Sequence, residues 1–558
     1  MEKYYFLAVI IVFAVFIYNS IVFRKRERQK LKERIRDNWG KIPEREYGYE
    51  EFRKIMFYFE NNKKNNFYVD DITWNDLDMD SIFMLLNNTY SSVGEEYLYK
   101  TLRIPEFDEQ ELLRREKLIN YFKEHKDNVF KLQELFAGLG RTKFISLSEF
   151  IHRLNDVEKH GNLKHFIMGI LFAASAAMLF IQPVAGILLF FVMLFINIGT
   201  YYKEKAAIES YFVCFKYLAD MINCADMIIK SDIDGIKEYS DALNGNLEKL
   251  SGIRKGIFLL SMNGNNGSMG EIIMEYIRMI FHVDIIKFNS MLDTTIANID
   301  TIDELFETLG RLEAGMAAAS FRNAMPYYSI PEFCDSRKLD IQEIFHPMIS
   351  EPVANDLTES RSVLITGSNA SGKSTFLKTI AINSILAQTI HTCTARHYKT
   401  CFFRTYTSMA LRDDLKSSES YFIVEIKSLK RIMDAINDDT PVLCFVDEVL
   451  RGTNTVERIA ASSYILNFLR KKNTLCFAAT HDIELTNILE KQYSNYHFTE
   501  EVKDEDVLFS YKLLKGRAAS RNAIKLLNVI GFDKDIVKNA EKMAEQFIKD
   551  GVWEQLTI

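Results

Sequence analysis

A glycine-rich loop between an apolar run and a helical pattern constrains the fold of this 558-residue chain more than any other feature. The loop runs Gly367-Ser-Asn-Ala-Ser-Gly-Lys-Ser374 and fits the spacing G-x-x-x-x-G-K-[ST]. Residues 362–366 predict a short buried strand before it, and a helical pattern begins by Phe376. Glycines let the backbone N–H groups curl around phosphate oxygens, and the helix N-terminus adds partial positive charge. A Gly/Ser-rich turn that matches by chance is the alternative.

The loop alone predicts a site for ATP or GTP with Mg²⁺, and its companion motifs below favour ATP. Lys373 is expected to reach the β- and γ-phosphates, and Ser374 to bind Mg²⁺. The predicted nucleotide-binding residues of the loop are Gly367, Ser368, Asn369, Ala370, Ser371, Gly372, Lys373, Ser374 and Thr375.

Two apolar runs further along the chain end in side chains suited to hydrolysis. Residues 441–446 lead into Asp447 and Glu448, and residues 475–480 lead into His481. Since buried parallel strands deliver their last residues to the nucleotide crevice, the three side chains should meet there. Asp447 would hold Mg²⁺, Glu448 would orient and polarise the attacking water, and His481 would sense the γ-phosphate. A strand that ends in acids only because it meets solvent, and a structural histidine, are the alternatives.

Composition indicates a mostly globular chain. Hydrophobic residues make up 48% and charged residues 26%, and the net charge of −7 gives no overall basic field for nucleic acid. Seven scattered cysteines without a C-x-x-C pair argue against a zinc site or a disulfide framework, and for a reducing compartment.

Three apolar segments predict membrane attachment. Residues 4–23 carry no charge and are long enough to span a hydrocarbon core of about 30 Å as a helix. A basic run from Arg24 to Arg36 follows, so the positive-inside rule places the N-terminus outside the cell (inner) membrane and the rest in the cytoplasm. A signal peptide, the alternative, has its basic residues before the apolar run.

The other two segments, 166–181 and 184–202, predict a membrane hairpin at 166–202 with Gln182-Pro183 in its outer turn. The alternative is a helical hairpin buried in a soluble core. Neither limb contains an ionisable residue, so nothing indicates an ion or substrate path.

These patterns divide the chain into a transmembrane anchor (1–23), a basic juxtamembrane helix (24–66), a helical region with the hairpin (67–330) and an α/β region (331–558). After Pro331, short β-branched runs alternate with helices, which is typical of a mainly parallel sheet. The basic helix either contacts anionic lipid headgroups or only fixes the topology.

The C-terminal part resembles the ATPase domain of the MutS DNA mismatch repair family, a branch of the ABC-type ATPases. The resemblance covers about residues 346–545, and a weaker one to the family's helical core lies at 78–105. It is carried by His346-Pro347, 366–375, 413–422, 447–455, 479–485 and the tail from Tyr511 to Ala540.

The resemblance implies an α/β ABC-type P-loop ATPase domain at the C-terminus, preceded by an all-α core-like region with transmembrane helices. It implies two such domains that sandwich two nucleotides, and therefore a homodimer with a C-terminal dimerisation tail. Ser420 would reach the γ-phosphate bound to the partner, and residues 451–454 would lie at the dimer contact. The aromatic residue that stacks on adenine in the family has no evident counterpart, because residues 352–355 offer only Val353.

The N-terminal region departs from the family's pattern. The core-like segment begins near residue 74, which leaves no room for the family's mismatch-recognition and connector domains. We therefore expect a membrane-anchored member without the mismatch reader.

Three classes of function remain open. The first is a membrane-anchored MutS-like ATPase that couples hydrolysis in a composite dimer site to DNA binding, as in mismatch repair or by DNA structure. The second is an ABC-type ATPase that drives an envelope or membrane-associated protein partner without DNA. The third is a silent scaffold, against which the intact Lys373, Ser374, Asp447, Glu448 and His481 argue.

Overall fold

A computed structural model shows the chain as two compact units, each built from three chain segments. The helical unit comprises Met1–Lys64, Leu86–Lys100 and Lys117–Asn323, and the α/β unit comprises Asn65–Leu85, Thr101–Glu116 and Ala324–Ile558. The structure describes residues 18–19, 22–23, 25–63, 67–142, 146–154, 161–253, 276–368, 371–409, 421–437, 439–451, 453–503, 506–518, 524, 527 and 531–556.

The first part of the chain is helical, as the sequence predicts. Residues 25–38 are helical. The helices that follow are α1 (Tyr49–Asn62), α2 (Asp71–Asp76), α3 (Met79–Leu86), α4 (Ser92–Arg103), α5 (Glu109–Glu124), α6 (Lys126–Leu139), α7 (Leu147–Arg153), α8 (Leu163–Ile181), α9 (Pro183–Lys230), α10 (Lys237–Lys249), α11 (Val283–Ile296) and α12 (Ile299–Ala324).

Helix α12 organises the core of the helical unit. Small residues on this helix allow close packing, since a Cβ on Gly310 would lie 2.4 Å from the Cβ of Tyr97. The buried carboxylate of Glu313 accepts hydrogen bonds from the backbone N–H groups of Tyr90 (2.5 Å) and Ser91 (3.2 Å). These bonds hold the start of α4 against α12.

Helices α8 and α9 form the predicted hairpin. Gln182 separates them, and Pro183 begins α9, where its missing N–H costs no hydrogen bond. Two windows, Leu163–Ile181 and Pro183–Ala206, are long and apolar enough to cross a membrane, and only 22% and 17% of them are buried. The exposure of these apolar side chains argues against a hairpin buried in a soluble core. Residues 4–17 of the predicted first span lie outside the described residues.

The α/β unit contains a six-stranded sheet with the order β10-β9-β4-β8-β7-β6. Its strands pair in parallel except β9 and β10, which form an antiparallel hairpin. The strands are β4 (Val363–Thr366), β6 (Arg404–Ser408), β7 (Val442–Asp447), β8 (Thr474–Ala479), β9 (Ser494–Lys503) and β10 (Asp506–Lys515). The predicted strands at 362–366, 401–408, 442–446 and 474–479 are confirmed within a few residues.

A second sheet and the helices of the C-terminal segment complete this part of the unit. The sheet has the order β1-β5-β2-β3, with β1 (Glu332–Phe333), β2 (Leu339–Ile344), β3 (Asn355–Glu359) and β5 (His397–Thr400). The helices are α13 (Lys373–Thr389), α14 (Tyr421–Asp434), α15 (Thr455–Lys471), α16 (Ile483–Ile488) and α17 (Lys534–Asp550). Strands β4, β7 and β8 are fully buried, which explains their nearly continuous apolar sequence.

Segments 65–85 and 101–116 pack with the α/β unit, a grouping that the sequence did not predict. Asp76 at the end of α2 is buried and accepts hydrogen bonds from the Thr407 hydroxyl (2.7 Å) and the Met409 backbone N–H (2.9 Å). The Asp70 side chain caps α2 by accepting from the Thr73 N–H. Strand β6 therefore ends against a helix that comes from an early part of the chain.

Candidate active site

The glycine-rich loop joins β4 to α13, as the sequence predicts. Gly367 has a φ of 150° and Gly372 a φ of 104°, conformations that favour glycine. A Cβ on Gly367 would lie 2.8 Å from the Ser371 hydroxyl, and one on Gly372 would lie 3.2 Å from the Tyr511 ring. Both glycines are thus required by backbone conformation and by space. Asn369 and Ala370 lie outside the described residues.

Lys373 begins α13 and is 95% buried, with its side chain folded along the loop. Its ammonium donates hydrogen bonds to the carbonyl oxygens of Gly367 (2.8 Å) and Ser368 (2.7 Å). Burial lowers the pKa of Lys373, and the nearby carboxylates Asp447 and Glu448 oppose that shift. The lysine is therefore a mostly buried cation that lines the same cavity as the glycine-rich loop.

Ser374 and Asp447, the two residues predicted to bind Mg²⁺, lie within hydrogen-bonding distance of each other. The Ser374 hydroxyl donates to the Asp447 carboxylate over 2.6 Å. One hydroxyl and one carboxylate suit Mg²⁺, which binds few protein oxygens and completes its shell with phosphate and water. Among the described residues, no three or more His, Cys, Asp and Glu side chains lie close enough together to hold a metal ion.

Glu448 is held between a histidine and an arginine. Its carboxylate lies 2.9 Å from His481 Nε2 and 2.8 Å from Arg451 Nε. The hydrogen bond from His481 is the main cause that lowers the pKa of Glu448, and Arg451 adds to it. Glu448 is therefore ionised at neutral pH, which is the form that a general base or a water-orienting group requires.

His481 Nε2 lies near both a hydrogen-bond acceptor and a hydrogen-bond donor. Nε2 lies 2.9 Å from Glu448 and 3.4 Å from Lys373 Nζ. A single ring nitrogen cannot donate to a carboxylate and also accept from an ammonium. The shorter distance decides for donation to Glu448, so His481 orients Glu448 while it lies beside the lysine.

Arg451 pairs with both acidic residues at the end of β7. Besides Glu448, it donates to the Asp447 backbone carbonyl (3.0 Å) and lies 3.5 Å from the Asp447 carboxylate. The resemblance implied a place at a dimer contact for this arginine. In the structure it contacts Asp447 and Glu448 of its own chain.

The predicted residues surround one cavity of about 660 Å³. Its lining includes Ser368, Ser371, Gly372, Lys373, Ser374, Thr375, Asp447, Glu448, Arg451 and His481. Ser420, the predicted contact to the partner's nucleotide, lies outside the described residues.

Tyr511 is a cavity residue that the sequence did not reveal. It lines the cavity together with Val353, and its φ of 52° falls at a bulge in the β9–β10 hairpin. Asn355 fixes the bulge, because its side chain donates to the Tyr511 carbonyl (3.0 Å) and accepts from the Leu513 N–H (2.8 Å). The aromatic ring and Val353 together offer flat apolar surface for a base.

Glu500 is a second residue that the sequence did not reveal. It lies on β9, is mostly buried, and accepts a hydrogen bond from the Ser368 hydroxyl over 2.8 Å. It thereby ties the glycine-rich loop to the strand beside it. No local spacing rule links residues that lie this far apart in the chain.

Fold and site together show an α/β domain whose glycine-rich loop, buried lysine and acidic strand end line one cavity. Residues 363–548 match the family described as MutS domain V. The chain is 30% identical over 342 residues to MutS protein homolog 4 of Homo sapiens, which covers 58% of this chain and 36% of that protein. It is also 30% identical over 274 residues to the DNA mismatch repair protein MutS of Thermotoga maritima, covering 47% of this chain and 34% of that protein.

A third relative is the DNA mismatch repair protein MutS of Acetivibrio thermocellus, with 27% identity over 233 residues, 39% of this chain and 27% of that protein. These similarities support membership of the MutS family. The matched region spans about a third of the length of these relatives.

Proposed function

We propose that this chain hydrolyses ATP with Mg²⁺ at the site between the glycine-rich loop and the end of β7. The observation that carries the proposal is the convergence of Lys373, the Ser374–Asp447 pair and the Glu448–His481 pair on one cavity. These residues come from three parallel strands and their following loops, which is where α/β sheets bind ligands.

The residues divide the work of hydrolysis between them. Lys373 and the loop N–H groups bind the phosphates. Val353 and Tyr511 pack against the adenine ring. Ser374 and Asp447 would hold Mg²⁺, which would neutralise charge on the phosphate oxygens. Glu448, kept ionised by His481 and Arg451, orients the attacking water.

The hydrolytic assignment is tested by Glu448→Gln, assayed for steady-state ATP hydrolysis and for direct nucleotide binding. We expect kcat to fall by about 10²- to 10⁴-fold with ATP binding retained, because the amide cannot serve as the base. Glu484→Gln, an exposed change on α16, is the matched control. Wild-type turnover in Glu448→Gln would reject the assignment of Glu448.

We further propose that two chains form composite sites, with Ser420 of one chain completing the site of the other. The MutS resemblance and the match to MutS domain V support this. Light scattering of Glu448→Gln with ATP should then show a dimer that Ser420→Ala weakens. A strictly monomeric Glu448→Gln protein with ATP bound would contradict it.

The substrate coupled to hydrolysis is proposed to be DNA. The support is the similarity to proteins named as DNA mismatch repair proteins MutS. We propose that DNA binding follows DNA structure or phosphate contacts, so that it weakens steeply with salt. Crosslinking in cells with Glu448→Gln should recover DNA. Recovery of envelope proteins without DNA would instead support a protein partner.

Membrane attachment is proposed from the exposed apolar surfaces of α8 and α9 and the uncharged run at 4–23. The chain should sit in the cell (inner) membrane with its α/β unit in the cytoplasm. The full chain should stay with membranes after alkaline carbonate extraction. Release into the soluble fraction would contradict the proposal.

A further inference from the structure

The segment after β7 has a strained backbone at the point where it presents the catalytic carboxylate. Glu448 has a φ of 61° and Leu450 a φ of 59°, both in the left-handed region. For residues with a Cβ, each such conformation costs about 1–2 kcal/mol. It persists only where surrounding contacts fix it. Something must therefore hold residues 448–451 in this shape.

Part of that support comes from β8 and α15. The Glu448 N–H donates to the Ala479 carbonyl over 2.9 Å, and the Ser462 hydroxyl donates to the Val449 carbonyl over 3.2 Å. These contacts fix the first two residues of the segment. Neither hydrogen bond reaches Leu450, which has the second left-handed conformation, or Arg451.

Glu425 on α14 provides the remaining support. Its Oε1 accepts hydrogen bonds from two consecutive backbone N–H groups, those of Leu450 and of Arg451, the latter over 3.4 Å. The side chain is 97% buried and does not line the cavity. Its second oxygen, Oε2, has no hydrogen-bond partner among the residues that the structure describes. The two hydrogen bonds to Leu450 and Arg451 mean that Glu425 holds the 448–451 segment in place. Apolar packing alone would not require a buried carboxylate here.

The consequence reaches the catalytic carboxylate through Arg451. With its backbone held by Glu425, Arg451 places its guanidinium 2.8 Å from Glu448 and donates to the Asp447 carbonyl. Movement of Arg451 would remove the guanidinium that contacts the Glu448 carboxylate. The geometry of the base thus depends on where α14 lies.

We propose that Glu425 is a positioning residue that makes the alignment of Glu448 depend on helix α14. This rests on the proposed function, in which Glu448 orients the water and Ser420 contacts the partner's nucleotide. Helix α14 begins at Tyr421, directly after Ser420. A displacement of α14 would therefore move the backbone of Leu450 and Arg451 and change the alignment of Glu448.

The experiment compares Glu425→Ala and Glu425→Gln in the full chain, with kcat, KM and direct nucleotide affinity measured separately. Glu425→Ala should lower kcat by about 10- to 100-fold, since small misplacements of catalytic groups have effects of that size. Nucleotide affinity should change by less than about threefold, because the groups that bind phosphate are untouched. Glu425→Gln should recover most of kcat, since its amide oxygen still accepts both N–H groups.

Asp434→Ala is the matched control, because Asp434 is an exposed carboxylate on the same helix and pairs with Lys430. It should leave kcat unchanged. If Glu425→Ala does not fold, Glu425→Asp serves instead, and its shorter side chain should lower kcat with unchanged nucleotide affinity.

Three results would overturn the inference: wild-type kcat in Glu425→Ala, a parallel loss of kcat and nucleotide affinity, or a Glu425→Gln variant as impaired as the alanine variant. The proposed function fails separately, if the wild-type chain does not hydrolyse ATP or if Glu448→Gln turns over normally.

Discussion

Each of the two units buries a lysine, and the two lysines have different surroundings. In the helical unit, Lys54 is 3% exposed and forms an ion pair with Glu95 over 3.0 Å. It also donates to the Thr142 carbonyl (2.8 Å). In the α/β unit, Lys373 is 5% exposed but donates only to neutral carbonyl groups, and it forms no ion pair within the described part of the chain.

The difference indicates that Lys54 has a structural role and that Lys373 is available to bind an anion. The carboxylate of Glu95 is also paired with Arg45 and Arg141, so the charges of the helical unit compensate one another away from solvent. The charge of Lys373 faces an open cavity and is suited to an anion that enters it. Burial of charge alone does not mark a functional site, whereas a buried lysine that forms no ion pair within the described residues and lines a cavity is a candidate for one.

Removing Lys373 should have the largest effect and should act on binding. Lys373→Ala is expected to weaken ATP binding by about 3–4 kcal/mol, since a buried charged partner of the phosphates is lost. The melting temperature should not fall, because no counter-ion is left unpaired. Direct titration with a fluorescent ATP analogue and thermal unfolding measure the two quantities. Lys472→Ala, distant along the chain and outside the cavity lining, is the control.

Removing Lys54 should instead act on stability. Lys54→Met is expected to lower the free energy of unfolding by about 2–3 kcal/mol, because Glu95 remains buried with fewer cations. ATP affinity should stay at the wild-type value. Denaturant unfolding compared with Lys230→Met, which alters an exposed pair with Asp226, gives the measurement. A Lys54 variant of full stability would contradict the assignment of a structural role.

The buried carboxyl of Glu96 should give the helical unit a pH dependence of stability. Burial raises the pKa of Glu96 from 4.5 to about 8, against the hydrogen bond that Ser146 donates to it over 2.8 Å. Between pH 5 and 8 the folded state therefore holds more protons than the unfolded state. The free energy of unfolding should fall as pH rises through this window, by at most about 1.4 kcal/mol per pH unit. Glu96→Gln should flatten the fall in unfolding curves recorded at several pH values.

The smallest effect is expected at the base-binding end of the cavity. Tyr511→Ala should weaken ATP binding by about 1 kcal/mol, the usual size of an aromatic stacking contribution. Tyr511→Phe should bind as the wild type does. Since stacking does not touch the phosphates, binding of inorganic triphosphate should not change in either variant. Equal weakening for ATP and triphosphate would place Tyr511 outside the base site.

The parts of the molecule that could be predicted from sequence are those with local patterns. Strands β4, β7 and β8 are short apolar runs that lead to Gly367, Asp447 and His481, and a parallel sheet brings such ends together. The pairs Ser374–Asp447 and Glu448–His481 follow from that rule.

The remaining features depend on contacts between distant parts of the chain. Tyr511 reaches the cavity only because a bulge turns it inward, and Glu425 holds the 448–451 segment from a different helix. Asp76 packs against the end of β6 across more than three hundred residues of sequence. Neither periodicity nor spacing reports such pairings.

Helix α9 has a mechanical consequence. It runs without interruption over 48 residues, which at about 1.5 Å per residue is a rod of about 72 Å. Its first half is the exposed apolar limb, and its second half carries buried residues of the helical core such as Leu218, Met221 and Ile222. Since a continuous helix resists bending, any tilt of the packed half is delivered to the apolar half as an equal change of angle. With the membrane attachment proposed above, a bilayer would support the apolar half of this rod.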